Sequence, residues 1–349
     1  MFNIIRPLLV WTYHRVLPGS GNAAVALDVF EKQIIYLLKK GYKVLDVNGL
    51  ESWFNGELNY ADRYTVLTFD DGWGDNYFYV TPILKKYGIK AVMAVNTGFI
   101  DTESDIVRSI TEYPLVDSKK ALSLSVYNND KTSFLTKAEL IKLKESGIWD
   151  IQPHGNSHFG CYHSLDKIRG LYPDMWHWTM KYAIGCDLFD GAPRAEFRST
   201  LASPRTKLKK GLIEKLKEKV SNNSKVELCN SFSNSIEVME SEIEFSERLK
   251  SDIKICETWL VDEIDINPKF FFWPWGHYSK FSTNIAKELG YKFQFTMDKD
   301  SVSINSLPEK IPRIAVPADF KRFVHQEKVF TSISKRKIRE AFNLLKKKK

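Results

Sequence analysis

The chain predicts an α/β fold built on a parallel sheet, either wound open or closed into a barrel. Three observations carry that expectation. Apolar runs rich in β-branched and aromatic residues alternate with helical-period segments along most of the sequence. Acidic and histidine residues sit just past the ends of those runs, where α/β folds place their chemistry. The alternation breaks once, over residues 159 to 240. With 349 residues and 43% hydrophobic content, the chain can bury a large core without staples.

Taken in order, Leu8 to Val16 reads as a first buried strand with His14 near its end. Asp28 is placed as the N-cap of a helix carrying Phe30, Ile34 and Leu37, which Gly41 stops. Lys43 to Val47 gives a second short strand and Tyr64 to Asp70 a third. Residues 76 to 87 form a helix that contains Pro82 or is split by it, and Lys90 to Asn96 is a fourth strand. From Asp101 to Phe134 the periodicity fails, which predicts a long polar loop. Thr136 and Glu139 make a capping box for a helix ending at Gly147, before a fifth strand, Trp149 to His154. Past the break, which includes a Lys-rich helix near 207 to 220, come a helix from about 242 to 263 and the aromatic strand Phe270 to Trp273. A helix to Gly290 and strands at 293 to 296 and 311 to 316 bring the total to seven or eight strands.

The net charge of +8 is concentrated: residues 335 to 349 carry +7 of it, so the body is close to neutral. That distribution excludes the basic face a nucleic-acid-binding domain needs. The tail, with Ile338, Phe342 and Leu345 on one side of a Lys/Arg-rich helix, suits an anionic membrane surface or a solvated terminus. Cys161, Cys186, Cys229 and Cys256 show no C-x-x-C spacing and are expected as thiols of a reducing compartment. Arg6 and Pro7 interrupt the first apolar run and no cleavage-site pattern follows, so a cytoplasmic location is expected. Oligomeric state has no signature in the sequence.

Two motifs carry chemistry. Thr68-Phe69-Asp70-Asp71-Gly72 puts two carboxylates at a strand's C-terminal edge, although Asp-Asp-Gly also makes ordinary turns. His154-Gly155-Asn156-Ser157-His158 places two histidines four apart, able to face one way if the segment makes one helical turn. Joined to a carboxylate from another strand end, they become a His-His-Asp set with open positions, suited to a divalent metal that activates water. Chance histidine pairs are frequent, so either motif alone is weak. In the break, Trp176 and Trp178 can stack on sugar rings or pack a small core of their own, and Arg194, Arg198 and Arg205 can grip carboxylate or phosphate. A glycosidase is disfavoured, since adjacent carboxylates cannot bracket a sugar at separations of ~5 to 9.5 Å.

In order, Tyr13-His14-Arg15-Val16, the Asp70-Asp71 motif, His154 through His158, Trp273-Pro274-Trp275-Gly276-His277-Tyr278 and Ile311-Pro312-Arg313-Ile314 resemble the landmarks of polysaccharide deacetylases of carbohydrate esterase family 4. The Tyr-His-Arg opening is most similar to the subgroup acting on exopolysaccharides and envelope glycans. The resemblance implies a distorted (β/α)7-type barrel of the NodB-homology fold over residues 1 to 330. A large insertion, 159 to 240, follows the fifth strand and covers the site, and a basic amphipathic tail spans 331 to 349. It implies a metal-dependent N-deacetylase acting on an amino-sugar glycan or its lipid-linked precursor; the start of the sequence and the basic tail add the expectation of work at the cytoplasmic membrane face. Asp70 would be the general base. Asp71, His154 and His158 would hold a divalent metal, zinc first, with Co2+, Ni2+ or Mn2+ also suitable. Trp275 would supply an oxyanion donor from its backbone.

Three departures from the family pattern stand out. Gly155 replaces the serine or threonine that usually follows the first metal histidine, relocating or losing one bond, with Ser157 as the substitute donor. Phe272 replaces the arginine that orients the base, leaving Arg313 or an insertion arginine such as Arg198 to substitute. No late Leu-x-His supplies a general acid, so His14 is the first candidate, ahead of His277 and His325, each with an equal claim to a structural role. These departures make a catalytically silent carbohydrate-binding homologue the alternative reading.

Overall fold

Seven parallel strands stand in a ring in the computed structural model, which describes residues 5–19, 24–170, 193–212, 214–215, 228–229 and 233–332. They are β1 (Leu9–Tyr13), β2 (Arg63–Asp71), β3 (Ala91–Val95), β4 (Trp149–Pro153), β5 (Phe270–Phe272), β6 (Phe293–Phe295) and β7 (Ile314–Ala315). A continuous parallel ladder runs β7-β1-β2-β3-β4, and β5 pairs with β6. A parallel bridge from Phe295 to Ile311 carries β6 to the chain entering β7. The remaining seam, between β4 and β5, is spanned by a side chain: Gln152 Oε1 accepts the backbone N–H groups of Lys269 and Phe270, both at 3.0 Å. The expected second strand shortens to Tyr42–Val44, which pairs with the start of β2 outside the ring.

Successive side chains on a strand face opposite ways, so the ring has two apolar faces. Val10, Val66, Val92, Phe272 and Phe295 fill the interior. Trp11, Leu67, Phe69, Met93 and Ile151 face outward and meet Phe30 and Ile34 of α1 (Leu27–Lys39), Leu140 of α5 (Lys137–Glu145) and Leu260 of α6 (Glu242–Asp262). Trp53, from α2 (Val47–Phe54), shares the interior cluster, and neighbouring Phe54 packs on Phe293, so this helix closes the N-terminal end. The opposite, C-terminal end is left for chemistry.

Local expectations fare unevenly. Asp28 is not the N-cap of α1; Ala26 takes that position without a side-chain cap, and Asp28 lies in the first turn, accepting from Lys32 at 2.7 Å. Pro82 splits its helix: a wide turn over Asn76–Val80 runs into α3 (Thr81–Tyr87), whose first turn tolerates the missing proline donor. The loop expected over 101 to 134 contains α4 (Ser118–Asn128), capped by Asp117, which accepts from Lys119 N at 2.9 Å. Its sequence, SKKALSLSVYN, has no apolar stripe, so periodicity could not reveal it.

In the insertion, pairing turns antiparallel. Gly160–Ser164 pairs with Glu196–Ser199, and Thr206–Leu208 with Ile236–Val238. The latter is strand where the beginning of a Lys-rich helix was expected. Trp176, Trp178, Cys186, the side chain of Cys229 and most of the basic tail lie outside the described residues. Cys161 and Cys256 carry free, buried thiols. Two further helices, α7 (Lys280–Glu288) and α8 (Phe320–Thr331), complete the outer layer. Among the described residues, no helix is long and apolar enough to cross a membrane.

Because a side chain substitutes for a ladder at the β4/β5 seam, Gln152→Leu strands a buried backbone donor at Phe270. The expected loss is about 1–3 kcal/mol in urea unfolding. Gln152→Glu, which keeps the acceptor, should lose less; equal losses would show that the bonds do not hold the seam.

Candidate active site

The site grows out of the last turn of β2. Asp70 continues the interior face of Val66 and Thr68, so its carboxylate belongs inside the barrel mouth. Asp71 would by the same alternation point outward, but its φ of 77° turns the backbone at this last residue of the strand, and Gly72 follows at φ 81°. A Cβ on Gly72 would come 2.7 Å from Ile100 Cγ2, so only glycine fits this turn. Among the described residues four non-glycine positions have positive φ, and two of them, Asp71 and Trp275, are at this site. Concentrated strain of that kind marks functional geometry.

Each arm of the cluster is held from behind. Asp71 Oδ2 accepts the Trp73 indole N–H at 3.1 Å. Trp73 in turn lies 4.4 Å from the Arg15 guanidinium, which is buried against Asp75 at 2.8 Å and Tyr113 at 3.2 Å. His154, at the end of β4, receives its backbone anchor from Val95 O at 2.8 Å. Its Nδ1–H donates to the carbonyl of Phe272 at 2.8 Å, which fixes the tautomer and leaves Nε2 with a lone pair. His158 packs between Phe99 and Trp275, ring centroids 5.5 and 5.1 Å away.

His154 Nε2 and His158 Nε2 each lie 3.5 Å from Asp71 Oδ1. The two histidines do not meet through a helical turn, as expected; the segment is a loop that folds back through Gly155 at φ 79°. Asp71 Oδ1 is buried with no hydrogen-bond partner, and the three donor atoms lie within 4.8 Å of one another. Ligands about 2.1 Å from one tetrahedral ion stand roughly 3.4 Å apart, so this set fits a divalent cation. Burial lowers the pKa of both imidazoles, against the pull of the nearby carboxylates, and carries His158 down to about 4. Both rings are therefore neutral, as ligands must be.

Asp70 has a different partner. Arg313 Nη1 donates to Asp70 Oδ1 at 2.6 Å and to Thr68 Oγ1 at 3.3 Å, with its guanidinium 5.0 Å from the Phe272 ring. Arg313 thus fills from β7's approach the place that Phe272 leaves empty. Burial alone would raise Asp70's pKa, but Arg313, helped by His154, outweighs it and sets it at about 2. The other oxygen, Oδ2, lies 3.9 Å from His154 Nε2. Asp70 is charged and faces the metal cluster without belonging to it.

The remaining candidates scatter. His14 is exposed beyond the end of β1, close enough for its charge to act on Asp70 and His158. Trp275 sits in the turn Pro274–Gly276 beside His158, and Phe197 from the insertion meets its ring edge-on at 5.5 Å. Arg198 does not approach Asp70: it lies 3.6 Å from Glu196 on the insertion, and Arg205 is committed to Glu240. His277 Nδ1 accepts the backbone N–H of Ser199, a structural bond, and His325 lines a surface groove with Lys299 and Lys321 on the outer layer. Trp73 and Asp252 were missed by sequence reasoning. Trp73 directly follows the Asp-Asp-Gly turn, and Asp252 is a charge on the apolar face of α6, between Leu249 and Cys256. Either position is a readable signal.

Known proteins resemble this chain in sequence and fold. Residues 58–181 match the polysaccharide deacetylase family. The chain is 21% identical over 295 residues to the poly-β-1,6-N-acetyl-D-glucosamine N-deacetylase of Escherichia coli K12, a match covering 84% of this chain and 34% of that protein. It therefore spans about a third of the length of that curated relative. A de-N-acetylase from Aggregatibacter actinomycetemcomitans superimposes with a TM-score of 0.58 at 18% identity, covering 95% of this chain and 98% of the other. IcaB from Ammonifex degensii gives 0.55 at 16%, covering 91% and 95%. Residues 58–181 thus match the polysaccharide deacetylase family model, and the barrel shares the fold of these solved deacetylases.

Proposed function

We propose that the chain is a metal-dependent hydrolase that removes N-acetyl groups from amino sugars of a bacterial surface polysaccharide or its lipid-linked precursor. The observation that carries this reading is the convergence of Asp70, kept ionised by Arg313, on the buried set Asp71, His154 and His158. The Escherichia coli relative, a poly-β-1,6-N-acetyl-D-glucosamine N-deacetylase, supports an N-acetylglucosamine polymer as the substrate class. Zinc is the proposed ion, with Co2+, Ni2+ or Mn2+ as substitutes, because two imidazoles and one carboxylate suit borderline divalent metals.

A cation held by Asp71, His154 and His158 supplies Lewis acidity, making water more acidic and an amide carbonyl more electrophilic. The chain's own residues do the rest. Asp70 Oδ1 is occupied by Arg313, so Oδ2 is the oxygen that takes the proton of the attacking water. Asp71, its charge drawn to a dication, is a poor base; Asp70 is not so burdened. The turn at Trp275, beside His158, is the proposed source of a backbone donor for the developing oxyanion. His14, exposed at the mouth, is the proposed general acid for the departing amine.

The silent, glycan-binding alternative draws on the missing motif arginine and on the unassigned general acid; Arg313 beside Asp70 supports the active reading on the first ground. Contact of the tail with an anionic membrane, and work at its cytoplasmic face, rest on the +7 charge of residues 335 to 349 alone.

Asp70→Asn is expected to abolish acetate release from a poly-N-acetylglucosamine oligomer while metal content stays at the wild-type level. Full activity in that variant would sink the mechanism, and binding without turnover by the metal-loaded wild type would favour the silent homologue.

Metal retention should have an unusual pH dependence. Ordinary imidazoles compete with protons below about pH 6.5, whereas His158 does so only toward about 4. At fixed metal concentration, content measured by equilibrium dialysis should hold to about pH 5 and fall beyond it. The metal-free fold pays the opposite way: its unfolded chain takes up protons from about pH 6.5 downward, so its stability declines as pH falls toward 4. Metal loss beginning near pH 6.5 would contradict this.

Arg313→Met leaves a buried carboxylate unpaired and should cost about 3–5 kcal/mol of stability. Asp70's depressed pKa favours the fold above the usual carboxylate range, a gain lost as pH falls toward about 2. Removing Arg313 raises that pKa, so the acid limb of kcat/KM should move to higher pH. An unshifted limb would show that Arg313 does not tune Asp70.

A further inference from the structure

We infer that Asp252, a buried residue of α6, is a positioning residue that shapes the loop carrying His158. The inference rests on the metal-centre reading above. Asp252 Oδ1 accepts the backbone N–H of Asn156 at 2.8 Å, and Oδ2 accepts the backbone N–H of Ser157 at 3.1 Å and its hydroxyl at 2.5 Å. Three donors from two consecutive residues converge on one carboxylate, which is how backbone concavities bind anions. Among the described residues the charged neighbour with an attractive effect is Arg248, one turn earlier, whose guanidinium is bonded instead to Glu240 at 2.6 Å and to Thr200 O at 2.8 Å. The carboxylate is therefore matched by the loop itself.

The glycine at 155 and the aspartate at 252 form one device. A Cβ at position 155 would come 3.0 Å from Asp252 Oδ1 and 2.8 Å from Leu201 Cδ1, at a φ of 79° that side chains rarely adopt. The carboxylate occupies the room a side chain there would need. Two residues on, Ser157 is bonded across the loop to a helix 95 residues away. From the other side Thr97 closes the clamp: its hydroxyl donates to Asn156 Oδ1 at 2.9 Å and its N–H to Gly155 O at 3.3 Å. Between the two holds lies one path for the chain, and it delivers His158 Nε2 to within 3.5 Å of Asp71 Oδ1.

The test is metal binding by the full chain, independent of turnover. Wild type, Asp252→Asn and Ser157→Ala are stripped with chelator and titrated with Co2+, reading the visible absorption of the bound ion, and urea unfolding of each metal-free protein is measured alongside. The amide of Asp252→Asn keeps the shape but turns one acceptor into a donor facing Ser157. Its expected Co2+ affinity is 10- to 100-fold weaker with a changed spectrum, the range typical when an outer-shell partner of a metal ligand is lost. Ser157→Ala, which removes one of three bonds and folds more safely, should weaken binding several-fold. Wild-type affinity and spectrum in both variants, or a lowered unfolding midpoint with unchanged affinity, would overturn the role of Asp252. A wild type that binds no Co2+ would overturn the metal centre itself.

Discussion

A carboxylate can stay ionised inside a barrel only if a cation is buried with it, and the pairing of Asp70 with Arg313 meets that condition at 2.6 Å. The pair joins residues 243 positions apart, so it exists only when the ring has closed. Its register shows how. Trp11 on β1 pairs with Leu67 of β2 on one side and Ile314 of β7 on the other. Arg313 therefore enters the interior near the level of Val66, and its long side chain climbs past Thr68 to reach Asp70. The guanidinium is also bonded to the carbonyl of Thr296 at 3.2 Å, which ties the loop after β6 into the same arrangement. Placing Asp70, closing the barrel and neutralising a buried charge are one structural event.

A second constraint follows from strand geometry. Neighbouring residues on a strand point to opposite faces, yet Asp70 and Asp71 both approach His154 Nε2, at 3.9 and 3.5 Å. That is possible because the backbone turns at Asp71, the last residue of the strand, at φ 77°, and Asp71 is held there by Trp73. The backbone strain has a chemical product: two carboxylates with different partners in one mouth. Asp70 is tuned by a fixed cation on the barrel wall, Asp71 is left with one buried oxygen open toward two neutral imidazoles. Their environments push their chemistry apart, which is how adjacent acids acquire different tasks.

The landmarks at the strand ends were readable because each is local: Asp70 and Asp71 end an apolar run, His154 ends another, and Arg313 sits in a third. The α/β alternation was likewise carried by periodicity. What periodicity could not carry was α4, whose polar sequence lacks a stripe, and the path of the loop from His154 to His158. A helical turn was the local solution for two histidines four apart. The actual solution is a loop held by Thr97 and Asp252, which approach from other parts of the chain. Asp252 did leave a trace, as an acid among the buried positions Leu249, Ile253 and Cys256, but naming its partner required the fold.

The insertion is coupled to the chemistry by its starting point. Its first strand, Gly160–Ser164, begins two residues after His158 and pairs with Glu196–Ser199, which presents Phe197 to the ring of Trp275. Ser199 also donates its N–H to His277, binding the same strand to the segment after the Trp275 turn. Leu201, just past that strand, packs against the loop at Gly155. The insertion thus meets the His158 loop through its first residues and through Leu201, and the Trp275 turn through Phe197. Any displacement of the Glu196–Ser199 strand must load the His158 loop, and the bonds from Thr97 and Asp252 are placed to resist that load.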